Sequence, residues 1–174
     1  MNAPQTPHNI SNLKKLLEQE PNPRTRLDAA KDLYNNFEDK SKRILSHQIK
    51  IESSAFFLTK FFKFLCNQED NLSYDLKESL VNKYQGIYDV EYDEAIFFLD
   101  LESTQIDIEK ELDFEGGYFK KFSNSNLNEL EKNTQINIII ESRHVQALDL
   151  SRWEFDKIPE SICLLSELVY LNLS

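Results

Sequence analysis

The chain has 174 residues, is 40% hydrophobic with 12 Phe and 7 Tyr, and carries a formal net charge of −10. That length and composition allow one domain, or two small ones, with a real core, and they exclude bulk disorder. The acidic balance argues against a nucleic-acid binder, which needs concentrated Lys and Arg, and no apolar stretch approaches the ~18 residues of a membrane span.

Residues 1–9 read as a flexible tail with Pro4 and Pro7. It has no basic or apolar region of the kind that marks a Sec-type signal peptide. Ser11 is the expected cap of a first helix running to about Glu20, with Leu13, Leu16 and Leu17 on one face. Pro21-Asn22-Pro23 ends it. Asn22 as cap and Pro23 at the first helical position then start a second helix, with Leu27, Ala30 or Lys31, Tyr34 and Phe37 at helical spacing. A third helical region spans Ser41 to Cys66, with a break expected near Glu52-Ser53-Ser54. Its second half is apolar almost all round and reads as the buried centre of a bundle. The alternative is a membrane-surface helix with Lys60 and Lys63 at the headgroups, disfavoured by acidic flanks. A fourth helix runs from Leu72 to Tyr84, with Leu72, Leu76, Leu80 and Tyr84 as its stripe and Gly86 as its stop.

From Ile87 the period changes. Tyr88, Val90 and Tyr92 alternate with acidic residues, Asp93-Glu94 makes a turn, and Ala95 to Leu101 is a short apolar run. These predict a hairpin. The segment 102–133 says less: Ile106, Ile108, Leu112 and Phe114 fit strands, Gly116-Gly117 a turn, and Leu127 and Leu130 a short helix. A second hairpin is expected from a strand Ile136–Ile140, a turn Glu141–His144 and a strand Val145–Leu150. At an offset of 49 residues, Leu99-Asp100-Leu101 lies over Leu148-Asp149-Leu150, so the first hairpin is either a degenerate copy of the second or a coincidence of pattern.

Val145, Leu148, Leu150 and Ser151 recur as Leu168, Leu171, Leu173 and Ser174, each 23 residues on. Between them lie Phe155, Ile158, Pro159, Ile162 and Leu165. Alternation puts Leu148 and Leu150 on one face of a strand and Asp149 on the other, Pro159 ends any preceding strand, and Ile162, Leu165 and Leu168 return the chain to the core. The pattern resembles a leucine-rich repeat of the form L-x-x-L-x-L-S-x-N-x-L-x-x-I-P-x-x-I-x-x-L. Trp153 stands where that family commonly has Asn, which marks an atypical terminal unit. The resemblance covers 136–174 and implies an α+β chain: an N-terminal α-helical bundle, then β-hairpins that cap the start of a leucine-rich repeat solenoid. The expected division is a tail 1–9, a helical domain 10–86, a β-containing segment 87–135, and the capping hairpin with the start of the repeats 136–174.

No catalytic constellation is apparent. His8, His47 and His144 share no metal-ligand spacing, three glycines build no phosphate loop, and there is no G-x-S-x-G elbow. Asp89, Glu91, Asp93 and Glu94 lack the spacing of a Ca²⁺ loop and read as a solvated hairpin face. Cys66 and Cys163 sit in apolar surroundings and read as buried free thiols in a reducing compartment, a disulfide between them being the alternative. No catalytic residue, metal, cofactor, nucleic acid or membrane is expected, and the expected location is the cytoplasm, or secretion as an effector without a signal.

The resemblance implies a non-catalytic protein–protein interaction module. Its partner-facing residues, carried over by position, are Gln146, Ala147 and Asp149 on one strand and Val169, Tyr170 and Asn172 on the next, with Gln146, Asp149, Tyr170 and Asn172 as the chosen set. The alternative makes 10–135 a helical regulatory or effector domain, enzymatic or not, whose target a longer array recruits. The strand 168–173 exposes Leu171 and Leu173 at an edge, which implies either a homodimer through that edge or a longer natural chain.

Overall fold

A computed structural model describes residues 9–105, 119–122, 136–151 and 158–173. The expectations for the tail, for 106–118 and 123–135, and for Trp153 and Phe155 lie outside the described residues. Those described form six α-helices, a four-stranded sheet and a 3-10 helix, a mixed α+β architecture. The chain divides into two compact units, Met1–Leu80 and Val81–Ser174.

The first unit is helical. Asn9, not Ser11, caps α1 (Ile10–Gln19), because its side chain accepts from the Ser11 N–H at 3.0 Å. Leu13 and Leu17 are buried one turn apart, while Leu16 falls off that stripe and is exposed. α2 (Pro23–Asn36) starts as its sequence requires: Asn22 accepts from the Arg24 N–H at 2.8 Å and Pro23 occupies the first position. It buries Leu27, Ala29, Ala30, Leu33 and Tyr34 and packs against α1, α3 and α4. Phe37 is half-buried and serves as hinge between α2 and α3 (Glu38–Ile51). The third helical region breaks at Glu52–Ser54, where Ser54 caps α4 (Ala55–Cys66) by accepting from Phe57 N–H at 3.2 Å. Phe57, Leu58, Phe61, Phe62 and Leu65 of α4 are buried.

A buried ion pair ties these breaks together. Arg26 donates Nε to Glu52 Oε2 at 2.9 Å and Nη2 to Oε1 at 2.7 Å, and its Nη1 donates to the carbonyls of Glu20 and Pro21 at 2.8 Å each. Glu52 also accepts from Gln48 Nε2 and Ser54 N–H, both at 2.9 Å. Burial pushes the Glu52 carboxyl up, but the hydrogen bonds from Arg26, Ser54 and Gln48 and the charge of Arg26 outweigh it and hold it below the usual range.

The unit boundary falls within α5 (Asn71–Tyr88). Leu72, Leu76, Leu80 and Tyr84 are buried as their spacing predicts. Gly86 does not stop this helix. The stop is Asp89, at φ 55°, followed by a 3.4 Å bond from Val90 N–H back to Gln85 O. That is the Schellman closure, with Asp in the left-handed position more often held by Gly.

In the second unit the expected first hairpin is replaced by helix. Tyr88 ends α5 and Tyr92–Gln105 is α6. A short apolar run does not by itself distinguish buried strand from buried helix, and Asp93 and Glu94 sit favourably in a first helical turn. Ala95, Phe97, Phe98, Leu99 and Leu101 are buried, and Glu102 accepts from the Tyr84 and Tyr88 hydroxyls. The reading of 87–103 as a copy of 136–152 therefore falls.

The second hairpin forms. β2 (Ile136–Glu141) and β3 (His144–Asp149) pair antiparallel across Ser142-Arg143, at φ 50° and 71°. Two positive φ values make the primed turn that matches strand twist. β1 (Phe119–Phe122) joins β2 in parallel. β4 (Tyr170–Asn172) joins β3 in parallel, pairing Ala147 with Tyr170, Leu148 with Leu171 and Asp149 with Asn172, an offset of 23 residues. Between β3 and β4 the chain turns at Pro159 into the 3-10 helix Glu160–Leu164, which packs on α6 and is held there by Ser161 Oγ donating to Asp100 Oδ2 at 2.6 Å.

Candidate interaction surface

Strand parity decides which residues leave the core. Leu148 of β3 and Leu150 just after it are buried on one face, so Ala147 and Asp149 take the other. The parallel register carries this to β4, where Tyr170 lies beside Ala147 and Asn172 beside Asp149. Gln146 is the extra residue where pairing shifts between Ile139 and Ile140, a bulge that turns it from strict alternation. The structure thus brings Gln146, Asp149, Tyr170 and Asn172 onto two adjacent strands, each half-buried.

Their chemistry is partly committed. Asp149 does not simply face solvent: its Oδ1 accepts from Ser151 N–H at 3.0 Å and Ser151 Oγ at 2.6 Å, closing the end of β3. Gln146 Nε2 donates to Glu167 Oε2 at 2.9 Å, and its carbonyl accepts from Val169 N–H at 2.9 Å. Ala147 is buried and presents nothing to a partner. At the rim, Val169 is 83% exposed, Leu171 39% and Leu173 53%, and β4 is the last strand of the sheet.

Several side chains are placed otherwise than their sequence context implied. Glu94 is not on a solvated face but 2% exposed, its Oε1 accepting from Val145 N–H at 2.9 Å. Arg143 at the hairpin tip reaches Glu91 at 3.2 Å and Asp89 at 3.8 Å and donates Nη2 to Val90 O at 3.0 Å. The hairpin tip is therefore docked on the residues that join α5 to α6, a juxtaposition that no local pattern signals. Cys66 and Cys163 are both exposed rather than buried, and no disulfide joins them. Apolar neighbours in sequence do not bury Cys66, because it falls on the outer side of the last turn of α4.

Among the described residues no group of three or more His, Cys, Asp or Glu side chains is arranged to hold a metal ion, and no helix is long and apolar enough to cross a membrane. An open depression of about 500 Å³ lies between α1 and α3, lined by Lys14, Leu17, Glu18, Arg43, Ile44, His47 and Gln48. No protein-family model, no curated protein and no solved structure matches the chain.

Proposed function

We propose that the chain is a non-catalytic protein-interaction module of the leucine-rich repeat type, in which the β2–β3 hairpin caps the start of a repeat sheet. The observation that supports this most is the parallel register of β3 and β4 at 23 residues, the same offset at which the leucine pattern repeats in the sequence. Two segments related by a repeat thus stack as neighbouring equivalent strands, which is the arrangement a solenoid needs to bury its leucines. The proposed partner is a protein, contacted through Tyr170 and Asn172 with Gln146 and Asp149 beside them. Tyr170 is the anchor, being large, rigid and amphipathic. The proposed location is a reducing, cytoplasmic one.

The test is site-specific photo-crosslinking in lysate, with the photoreactive residue at Tyr170 or Asn172 and, as control, at exposed Glu160 on the 3-10 helix. Discrete adducts at the strand positions and none at the control are expected. Equal labelling at all three refutes the surface.

A second reading is self-association through β4, favoured by exposed Leu171 on an edge strand without a charged residue and by exposed Val169 and Leu173 at its two ends. Light scattering of the chain and of Leu171→Lys/Leu173→Lys decides it: a dimer is expected for the parent and a monomer for the variant, and a parent monomeric at high concentration removes the reading.

A further inference from the structure

His144 begins β3 and stands opposite Glu141 across the hairpin. Both of its ring nitrogens face further carboxylates. Nδ1 lies 3.5 Å from Glu94 Oε1 on α6, and Nε2 lies 3.7 Å from Glu167 Oε1 in the turn before β4. Both separations exceed the ~3.2 Å limit of an ordinary N–H···O bond. Among the described residues, His144 Nδ1 and Glu94 Oε2 are buried without a hydrogen-bond partner, while Glu94 Oε1 already accepts from Val145 N–H. The charged groups around the ring are Glu94 from α6, Glu167 from the turn and Glu141 from β2. The adjacent cation, Arg143, is engaged by Asp89 and Glu91.

A neutral imidazole carries one N–H. It serves one of the two facing carboxylates and turns a lone pair toward the other. An imidazolium carries an N–H at each nitrogen and matches both. Histidine is also the side chain whose charge ordinarily changes between about pH 5 and 8. We propose that His144 is a proton-operated clasp: protonated, it joins Glu94 on α6 to Glu167 beside β4, and neutral, it releases one of them. Both orphaned buried atoms, Nδ1 and Glu94 Oε2, are then accounted for, because a small ring rotation lets the second N–H meet the free carboxylate oxygen. Glu167 also accepts from Gln146, so the proton reaches the edge of the β3–β4 surface through one carboxylate. The clasp stands on the geometry of these groups alone and survives even if the repeat reading fails.

The experiment is a ¹⁵N NMR titration of the histidine rings in the whole chain from pH 8 to 5, with His144 assigned by the signal lost in His144→Gln. The acid form should show both ring N–H signals protected relative to those of exposed His47. Removing a facing carboxylate leaves one ring N–H without its partner, so the Nε2 proton should lose its protection in Glu167→Ala and the Nδ1 proton in Glu94→Ala. Glu167 is half-exposed, so its variant keeps the fold whether or not the buried Glu94 variant does. Nε2 protection unchanged in Glu167→Ala, or ring protons that exchange as freely as those of His47, overturns the proposal.

Discussion

Replacing Glu52 by alanine should be among the most damaging changes to the helical unit. The Glu52 side chain is 2% exposed and that of Arg26 14%, so deletion of the carboxylate leaves a guanidinium nearly dry and unpaired. Breaking one side of a buried pair costs about 3–5 kcal/mol. Arg26 keeps its bonds to the carbonyls of Glu20 and Pro21, so the lower end, about 3 kcal/mol, is expected. Because Ser54 N–H and Gln48 also lose their acceptor, α4 should fray at its start. The assay is urea unfolding followed by far-UV circular dichroism, in which the helices dominate. The paired change Arg26→Met/Glu52→Leu should cost less than Glu52→Ala alone, since it buries no lone charge. The same pair sets a pH dependence. Glu52 is held below its ordinary value of 4.5 in the folded chain, so unfolding takes up a proton there. The stabilisation is present above 4.5 and is lost as the pH falls through the lowered folded value. Glu52→Gln should flatten the acid limb of stability against pH. A loss below about 1 kcal/mol for Glu52→Ala, the range of exposed pairs, would refute the reasoning.

Gly86 lies inside α5, is exposed, and a Cβ built there meets nothing within 4 Å, so Gly86→Ala should raise the thermal midpoint, by up to about 1 kcal/mol of stability. Asn22→Ala removes the cap of α2 and should cost about 1 kcal/mol in urea titration. Leu148→Ala empties a fully buried position and should cost about 2–5 kcal/mol by the same measurement.

How much of this was legible depended on how local the physics is. Asn22-Pro23 capped α2 as read, because a cap needs only a side chain and an N–H two residues on. The Leu72–Leu76–Leu80–Tyr84 stripe and the β2–β3 hairpin were legible for the same reason, one from helical spacing and the other from alternation around a short turn. Gly86 misled because a glycine near a helix end is usually its stop, whereas here Asp89 takes the left-handed position. Tyr92–Gln105 misled because a short apolar run fits strand and buried helix alike. Of the candidate surface, the placement of Gln146, Asp149, Tyr170 and Asn172 on two adjacent strands was what the repeat resemblance implied, but the burial of Ala147 and the Asp149–Ser151 closure were not.

The residue pattern alone carries the start of α2, the β2–β3 hairpin and the 23-residue recurrence, since each follows from steric and hydrogen-bonding preferences between near neighbours or from simple repetition. The tertiary structure decides what no neighbour dictates. Arg26 meets Glu52 across 26 positions, and Glu94 meets Val145 across 51. These contacts form because burial forces each polar group to find a partner wherever the packed elements bring one. His144 likewise stands between Glu94 and Glu167, residues far from it in the chain, and that setting exists only once α6, the hairpin and the turn before β4 have come together.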